Sequence, residues 1–384
     1  MSKFNFKHQI LFFKVIQHSL KAVFYFVLIG GLATVILETT GGEDSFFGFD
    51  LPAGLSQLLR SVRQATSGLA ALLCAYQAAF YTLELEGKKG HAGATAGLAG
   101  YLLVCLEPKG QTYSFSQPLL GENGIFLALV YGYVCGKLFS FSQSFLAYVS
   151  KKCHKQTVPQ ATWLPLGVNL LLALGLNQIR QFLVTDLWFT SHAQGGLAII
   201  FLSLQSALEK WLGLLGLADA DSFFEDITVT KNFHYALKHY GQLSQVPTPI
   251  TAYSSYYCYG KLALLGLVIA LFYLGYQKMG WLCLVPSFWG YDLAVNTGVP
   301  VILNPFLLIP SLLVPALNTV IAMVGIKSRV ISPGVYPPLD GTPIILRSFV
   351  ATNGQVSSLV FSLWITLLDS LFFYLWIKKR GSVC

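Results

Sequence analysis

The chain has 384 residues, 54% of them hydrophobic and 11% charged, with a mean hydropathy of +0.60. A soluble domain carries about 25% charged residues, so this composition excludes a soluble globular protein and calls for an integral membrane protein. The net charge of +8 does not point to nucleic acid, because the basic residues gather at the ends of apolar segments, where they set orientation.

Residues Met1–Lys21 interleave Lys3, Lys7, Lys14 and Lys21 with Phe4, Phe6, Ile10, Leu11, Phe12, Phe13, Val15 and Ile16. They read as a basic amphipathic helix on a membrane surface. No small-residue cleavage site follows a short apolar core, so no cleaved signal peptide is expected. A first span covers Ala22–Leu37. The next loop carries Glu38, Glu43, Asp44 and Asp50 and no Lys or Arg. A second span is expected from about Val62 to Leu83. Ala92–Leu106 follows, a run rich in Gly and Ala whose small residues let helices approach closely in a membrane. A loop with Glu107, Pro108 and Gly110 leads to a span at Ile125–Val149. Further spans are expected at Trp163–Val184, interrupted by Asn169, Asn177, Gln178 and Arg180, and at Gly195–Leu217.

From Ala218 to Tyr253 the chain turns polar, too long for an ordinary connection. Lys261–Tyr276 is apolar again, Val299–Val324 is long and proline-broken, and Lys327–Gly354 is non-regular. Leu359–Ile377 is the last span. The count is eight to ten crossings. The N-terminus, the loops at Lys88 and Lys151, and Lys378-Lys379-Arg380 are basic. By the positive-inside rule both termini are cytoplasmic.

The most informative stretch is Leu284–Pro310. It is apolar at both ends, holds Asp292, Asn296, Thr297, Gly298 and Asn304 in its middle, and is punctuated by Pro286, Pro300, Pro305 and Pro310. Proline removes a backbone donor and breaks an interior turn. In hydrocarbon each freed backbone group needs a partner, so broken backbone lies only where protein or a watery cavity surrounds it. Transporters place their solute sites at such discontinuities. The simpler alternative is a kinked helix followed by a tight loop. Asp292 is either a functional intramembrane acid or a carboxylate that caps a helix or pairs with a nearby cation.

Other chemistry is missing from the sequence. There is no GxxxxGK[ST] and no HExxH. The seven histidines are scattered, and the seven cysteines lack paired or CxxC spacing. Cys74, Cys105, Cys135 and Cys283 lie in apolar runs and read as plain buried residues. No metal, cofactor, disulfide framework or catalytic residue is expected.

Several segments in order resemble the membrane IIC component of bacterial phosphotransferase-system sugar permeases, of the lactose/cellobiose (diacetylchitobiose) type. Gly266–Ala270 followed by Leu284-Val285-Pro286-Ser287 is similar to the family's LGLVIA…LVPS. Gly298–Pro305 is similar to its GLPIVLNP, and Phe306–Pro315 with Leu317-Asn318 to its LLAIPFILVPLVN. Thr342-Pro343 and then Phe349–Gly354 resemble TP…FLATGG. Leu119–Phe126 and Val158-Pro159 resemble the earlier YLGATGLF and VPP. The resemblance is strong over 260–354 and weak before 160.

The resemblance implies an all-α polytopic protein of the IIC transporter fold, in the bacterial cytoplasmic membrane, with re-entrant hairpins. It implies a homodimer that carries a di- or oligosaccharide, which a separate cytoplasmic IIB protein phosphorylates. On this basis 1–21 is an N-terminal surface helix and 22–186 a helical bundle at the dimer interface. Residues 187–384 form the substrate domain, with hairpins near 218–253 and 281–305. Sugar contacts are expected from Asp292, Asn296, Asn304 and Thr342, with Trp289 or Tyr291 stacking on the rings.

The sequence also departs from the family. The Glu of the family's NEP motif falls at Leu293 and the His of its GIHG motif at Ala218. Those two groups would hold and orient a sugar hydroxyl. Three readings follow: a divergent sugar permease component; a non-phosphorylating relative acting as receptor, regulator or facilitator; and an ion-coupled carrier with Asp292 as its coupling acid.

Overall fold

A computed structural model describes residues 2–42, 45–109, 112–153, 163–183, 195–213, 227–239 and 243–380. The helices are α1 (Ser2–Thr39), α2 (Ala53–Ala65), α3 (Ala70–Glu84), α4 (His91–Val104), α5 (Gln117–Leu120), α6 (Ile125–Cys153), α7 (Trp163–Leu183) and α8 (Gly196–Leu212). They continue with α9 (Ile227–Lys238), α10 (Ala263–Tyr273), α11 (Gln277–Phe288), α12 (Asp292–Gly298), α13 (Pro305–Lys327), α14 (Arg347–Ala351) and α15 (Val356–Arg380). Five helical stretches among the described residues are long and apolar enough to cross a membrane: Leu11–Thr39, Glu122–Phe145, Tyr253–Tyr273, Pro305–Lys327 and Val356–Lys379. The protein is an all-α, multi-pass membrane protein.

The observed elements differ from the expected ones in places. α1 runs through residue 21 without a break, and its apolar window begins at Leu11. The span expected at Val62–Leu83 is in two pieces. α2 buries no residue, and a 3-10 turn at Ser67–Leu69 separates it from α3. The loop after α4 contains a two-stranded hairpin, β1 (Leu106–Lys109) and β2 (Thr112–Phe115), antiparallel with Leu106 opposite Phe115. Ala218 lies outside the described residues, as does part of the polar segment 218–253. The rest of that segment contains α9, whose Asn232 amide bonds Thr248 O at 2.6 Å and receives Thr248 N at 3.0 Å.

The chain divides into two compact units, Met1–Val27 with Gln64–Trp188, and Leu28–Arg63 with Phe189–Cys384. The first is held by small residues. A Cβ on Gly132 of α6 would meet Ala75 O of α3 at 2.4 Å, and one on Gly136 would meet Thr82 Cβ at 2.6 Å. α4 packs through Gly93, Gly97 and Gly100, as the Gly/Ala run led one to expect. A Cβ at Gly100 would meet the Tyr131 hydroxyl at 1.8 Å. That hydroxyl bonds Asn169 Oδ1 at 2.6 Å, and Asn169 Nδ2 bonds Ala96 O at 2.8 Å. Asn177 donates to Leu103 O, Val104 O and Leu106 O at 2.8–3.1 Å, satisfying carbonyls at the C-terminal end of α4. The polar residues of α7 thus bind α4.

Just beyond α3, half-buried Glu86 takes hydrogen bonds from Lys137 and Ser140 of α6. Burial pushes its carboxyl up, but those bonds and the charges of Lys137 and Lys88 outweigh it, so Glu86 sits below the ordinary carboxylate value. A carboxyl depressed in the folded state contributes stability above its unfolded value, about 4.3. That contribution fades as pH falls through the folded value. Glu86→Gln is therefore expected to lower the unfolding temperature of the detergent-solubilised protein at pH 7. The gap from wild type should narrow as the pH is taken below about 4.

The second unit has its core in a tyrosine-rich turn. Tyr253–Tyr257 form a single π-turn, followed by a 3-10 turn at Gly260–Leu262 and then α10. Tyr253, Tyr256, Tyr257 and Tyr259 are all buried. The span expected to begin at Lys261 thus begins about two turns earlier, at Tyr253. π-turns cluster at functional sites, and this one borders the cavity described next.

Candidate functional site

The broken stretch is built as proline and glycine chemistry requires. α11 continues through Pro286 in its last turn and ends at Gly290, which takes φ 82°. The left-handed conformation there suits only glycine. A Cβ at this position would also meet an Arg347 guanidinium nitrogen at 2.8 Å. α12 is a two-turn helix. From Val299 to Asn304 the backbone is non-helical, and α13 starts with Pro305 in its first turn and Asn304 as its cap. Pro310 and Pro315 lie inside α13 without ending it.

Several polar groups freed at the break find partners. Val301 N bonds Asn296 O at 3.1 Å, and Asn304 N bonds Val301 O at 3.1 Å. Asn304 Oδ1 accepts from Phe306 N at 3.0 Å, while its Nδ2 donates to Pro300 O at 3.0 Å. The last turn of α8 supplies the rest. Trp211 O accepts from Leu303 N at 2.7 Å, and Trp211 Nε1 donates to Asn304 O at 2.9 Å. Leu303 sits at φ 53°, a strained conformation for a bulky residue, held by this clamp.

The residue before Trp211 does the electrostatic work. Lys210 forms an ion pair with Asp292 at the start of α12, the two side chains being 26% and 15% exposed. Of the readings open for Asp292, pairing with a nearby cation is the one observed. The cation comes from α8. A lone lysine in an apolar segment is itself a functional flag, and that was the available signal for it.

Beside the break lies a small, partly open cavity of about 50 Å³. Its polar lining comes from Lys210, Trp211, Tyr256, Lys261, Asn296 and Ser311, and the rest is apolar. Of the residues expected to contact solute, Asn296 lines it. Asn296 is 1% exposed, and its Nδ2 has no hydrogen-bond partner. A buried unpaired donor costs about 1–3 kcal/mol, which a ligand acceptor would relieve. Asp292 reaches the cavity through Lys210. Asn304 is engaged in the cap. Thr342 is buried and donates to Leu339 O at 2.5 Å. Trp289 packs edge-to-face on Phe288, with its ring nitrogen buried and unpartnered. Tyr291 lies against α1, where a Cβ on Gly31 would meet its ring at 2.3 Å. Thr342, Trp289 and Tyr291 are not part of the lining.

Two further cations converge on one ring. Lys261 Nζ lies 4.9 Å, and the Arg347 guanidinium 5.2 Å, from the centroid of Tyr257. Both are cation–π distances. No Asp, Glu or His lines the cavity among the described residues. Leu293, at the position of the expected Glu, is buried in α12. Lys210, Tyr256, Lys261 and Trp211 were not singled out by motif, because their roles depend on the long-range approach of α8 and the π-turn to the break.

Removing one partner of a buried ion pair leaves an uncompensated charge, whereas replacing both with apolar side chains is often neutral. Lys210→Ala is expected to destabilise the protein by about 3 kcal/mol, and Lys210→Met with Asp292→Leu to recover most of that. Thermal unfolding in detergent measures both. Equal losses in the single and double variants would remove the pair from this account. Asn304→Ala should cost about 1 kcal/mol through loss of the cap.

No family model matches the sequence, and no curated protein sequence matches it. Among solved structures the chain is similar to the crystal structure of the transporter ChbC, the IIC component from the N,N'-diacetylchitobiose-specific phosphotransferase system. The identity is 18% and the TM-score 0.38, over 96% of this chain and 93% of that one.

Proposed function

We propose that the protein is a divergent IIC-type permease component that moves a di- or oligosaccharide across the bacterial cytoplasmic membrane. In this reading it works as a homodimer with both termini cytoplasmic and positions its sugar for phosphorylation by a cytoplasmic IIB protein. The observation that carries the reading is the cavity beside the broken α12–α13 stretch. Its lining includes Leu267, Val301, Leu307, Ser311 and Pro315, from the segments Gly266–Ala270, Gly298–Pro305 and Phe306–Pro315 that resemble the family's motifs. A cavity at a helix discontinuity is the arrangement expected of a carrier.

A second reading is favoured by one observation. The lining has no carboxylate or imidazole among the described residues, and the expected Glu is Leu293. A relative that binds or passes its solute without phosphorylation fits that lining equally well.

Uptake of labelled disaccharides into vesicles, with and without a IIB protein, separates the two. The permease reading expects saturable uptake that depends on IIB and falls about tenfold or more in Asn296→Ala, since an interaction worth about 1.4 kcal/mol is tenfold in affinity. Saturable uptake that ignores IIB would establish the second reading. Absence of uptake and binding with folded protein would overturn both.

A further inference from the structure

The last membrane-crossing helix carries an acid outside the cavity lining. Asp369 lies near the middle of the apolar stretch Val356–Lys379 of α15 and is 3% exposed. Its partner is Asn318 of α13, whose Nδ2 donates to Asp369 Oδ2 at 2.7 Å. On another side is Gly266 of α10, where a Cβ would meet Asp369 Cβ at 2.4 Å. The carboxyl thus sits where three helices meet. Each of them lends the cavity a residue within about one turn of that meeting point: Phe373 from α15, Pro315 from α13 and Leu267 from α10.

The charged and titratable groups on the surrounding elements are turned elsewhere. α10 has only Tyr273, which is exposed and packs on Tyr374 of α15. α13 has only Lys327, exposed at its C-terminal end. The first basic residue of α15, Lys378, is exposed and bonds the Tyr374 hydroxyl at 2.9 Å. Lys261 of the 3-10 turn and Arg347 of α14 both lie over the Tyr257 ring. None of these cations forms an ion pair with Asp369 among the described residues.

With neither water nor a cation beside it, the charged form of a carboxyl is the costly one, and a proton removes that cost. The amide partner serves both forms, since its N–H donates to a carboxylate and its C=O accepts from the acid. A metal ion would need several oxygen ligands, and here the partner presents N–H. Hydroxyls continue from the acid along the same face of α15. Ser358, Ser362 and Thr366 recur every fourth residue and are buried. Ser362 Oγ lies 2.6 Å from Ser348 Oγ of α14, and the Ser358 hydroxyl has no hydrogen-bond partner. Hydroxyls both donate and accept, as passing a proton requires.

We propose that Asp369 is a proton-binding site linked to the cavity: its carboxylate takes a proton from solution as sugar fills the cavity and gives it back as the sugar leaves. Sugar displaces the water nearest the acid and so favours the uncharged form. By reciprocity, a proton on Asp369 tightens sugar binding. Asp292, paired with Lys210, does not take this part. The inference rests on the permease reading and adds a proton to its transport cycle.

The test uses the full-length protein in lipid vesicles, with cellobiose, lactose and diacetylchitobiose as probes. Infrared difference spectra should show a protonated-carboxyl band that grows when sugar binds to the wild type and is missing in Asp369→Asn. Uptake with IIB present and the inner pH fixed should run several-fold faster when the outer solution is acidic. Asp369→Asn should lose that response and keep saturable binding. Asn318→Ala should move the pH of half-maximal response, which a merely structural pair would not do. If Asp369→Asn fails to fold, an unmoved pH profile in Asn318→Ala overturns the inference. Sugar that binds without changing the band, or a gradient response that survives Asp369→Asn, also overturns it and leaves the permease reading standing. Binding of none of the sugars overturns both.

Discussion

An unpaired peptide group in hydrocarbon costs several kcal/mol, and this constraint organises the second unit. The chain stops being helical between Gly298 and Pro305, where its residues are buried. Two consecutive residues at the end of α8 resolve the problem. Trp211 takes Leu303 N and covers Asn304 O, and Lys210 neutralises Asp292 at the other end of α12. Asn304 closes the remaining gap from within. Without that clamp, the prolines would leave buried backbone groups unpaired.

The clamp also determines what the site can do. Because α8 reaches the break from one side and the tyrosine π-turn borders it on another, a cavity remains between elements that cannot collapse onto each other.

Much of the architecture was legible because it depends on local chemistry. The runs that became α6, α13 and α15 are apolar enough to be seen without partners, and the Gly/Ala stretch of α4 announced its close packing. The break at Pro300 and Pro305 followed from the missing donor of proline. Reading failed where tertiary contacts decide. Pro286, Pro310 and Pro315 sit inside helices because neighbouring elements tolerate them. The residues between Tyr253 and Lys261 belong to no expected span, yet their tyrosines fill a core. At the site, Asn296 was legible as a polar residue in the broken stretch. Lys210 was not linked to Asp292, since nothing local to either residue fixes a pairing across so much sequence. Asn304 is the instructive case: a polar residue between two prolines suits a ligand contact and a helix cap equally, and here it is the cap.

The central claim is that solute occupies the cavity braced open by Lys210 and Trp211. Thiol labelling of Ser311→Cys, a half-buried wall position, tests this most directly. Labelling is followed peptide by peptide in membrane vesicles, with and without saturating sugar, and Ser61→Cys on exposed α2 serves as the control. The account predicts that bound sugar slows labelling at 311 several-fold and leaves 61 unchanged. Equal labelling at 311 with and without a sugar that demonstrably binds would place the solute elsewhere and contradict the account.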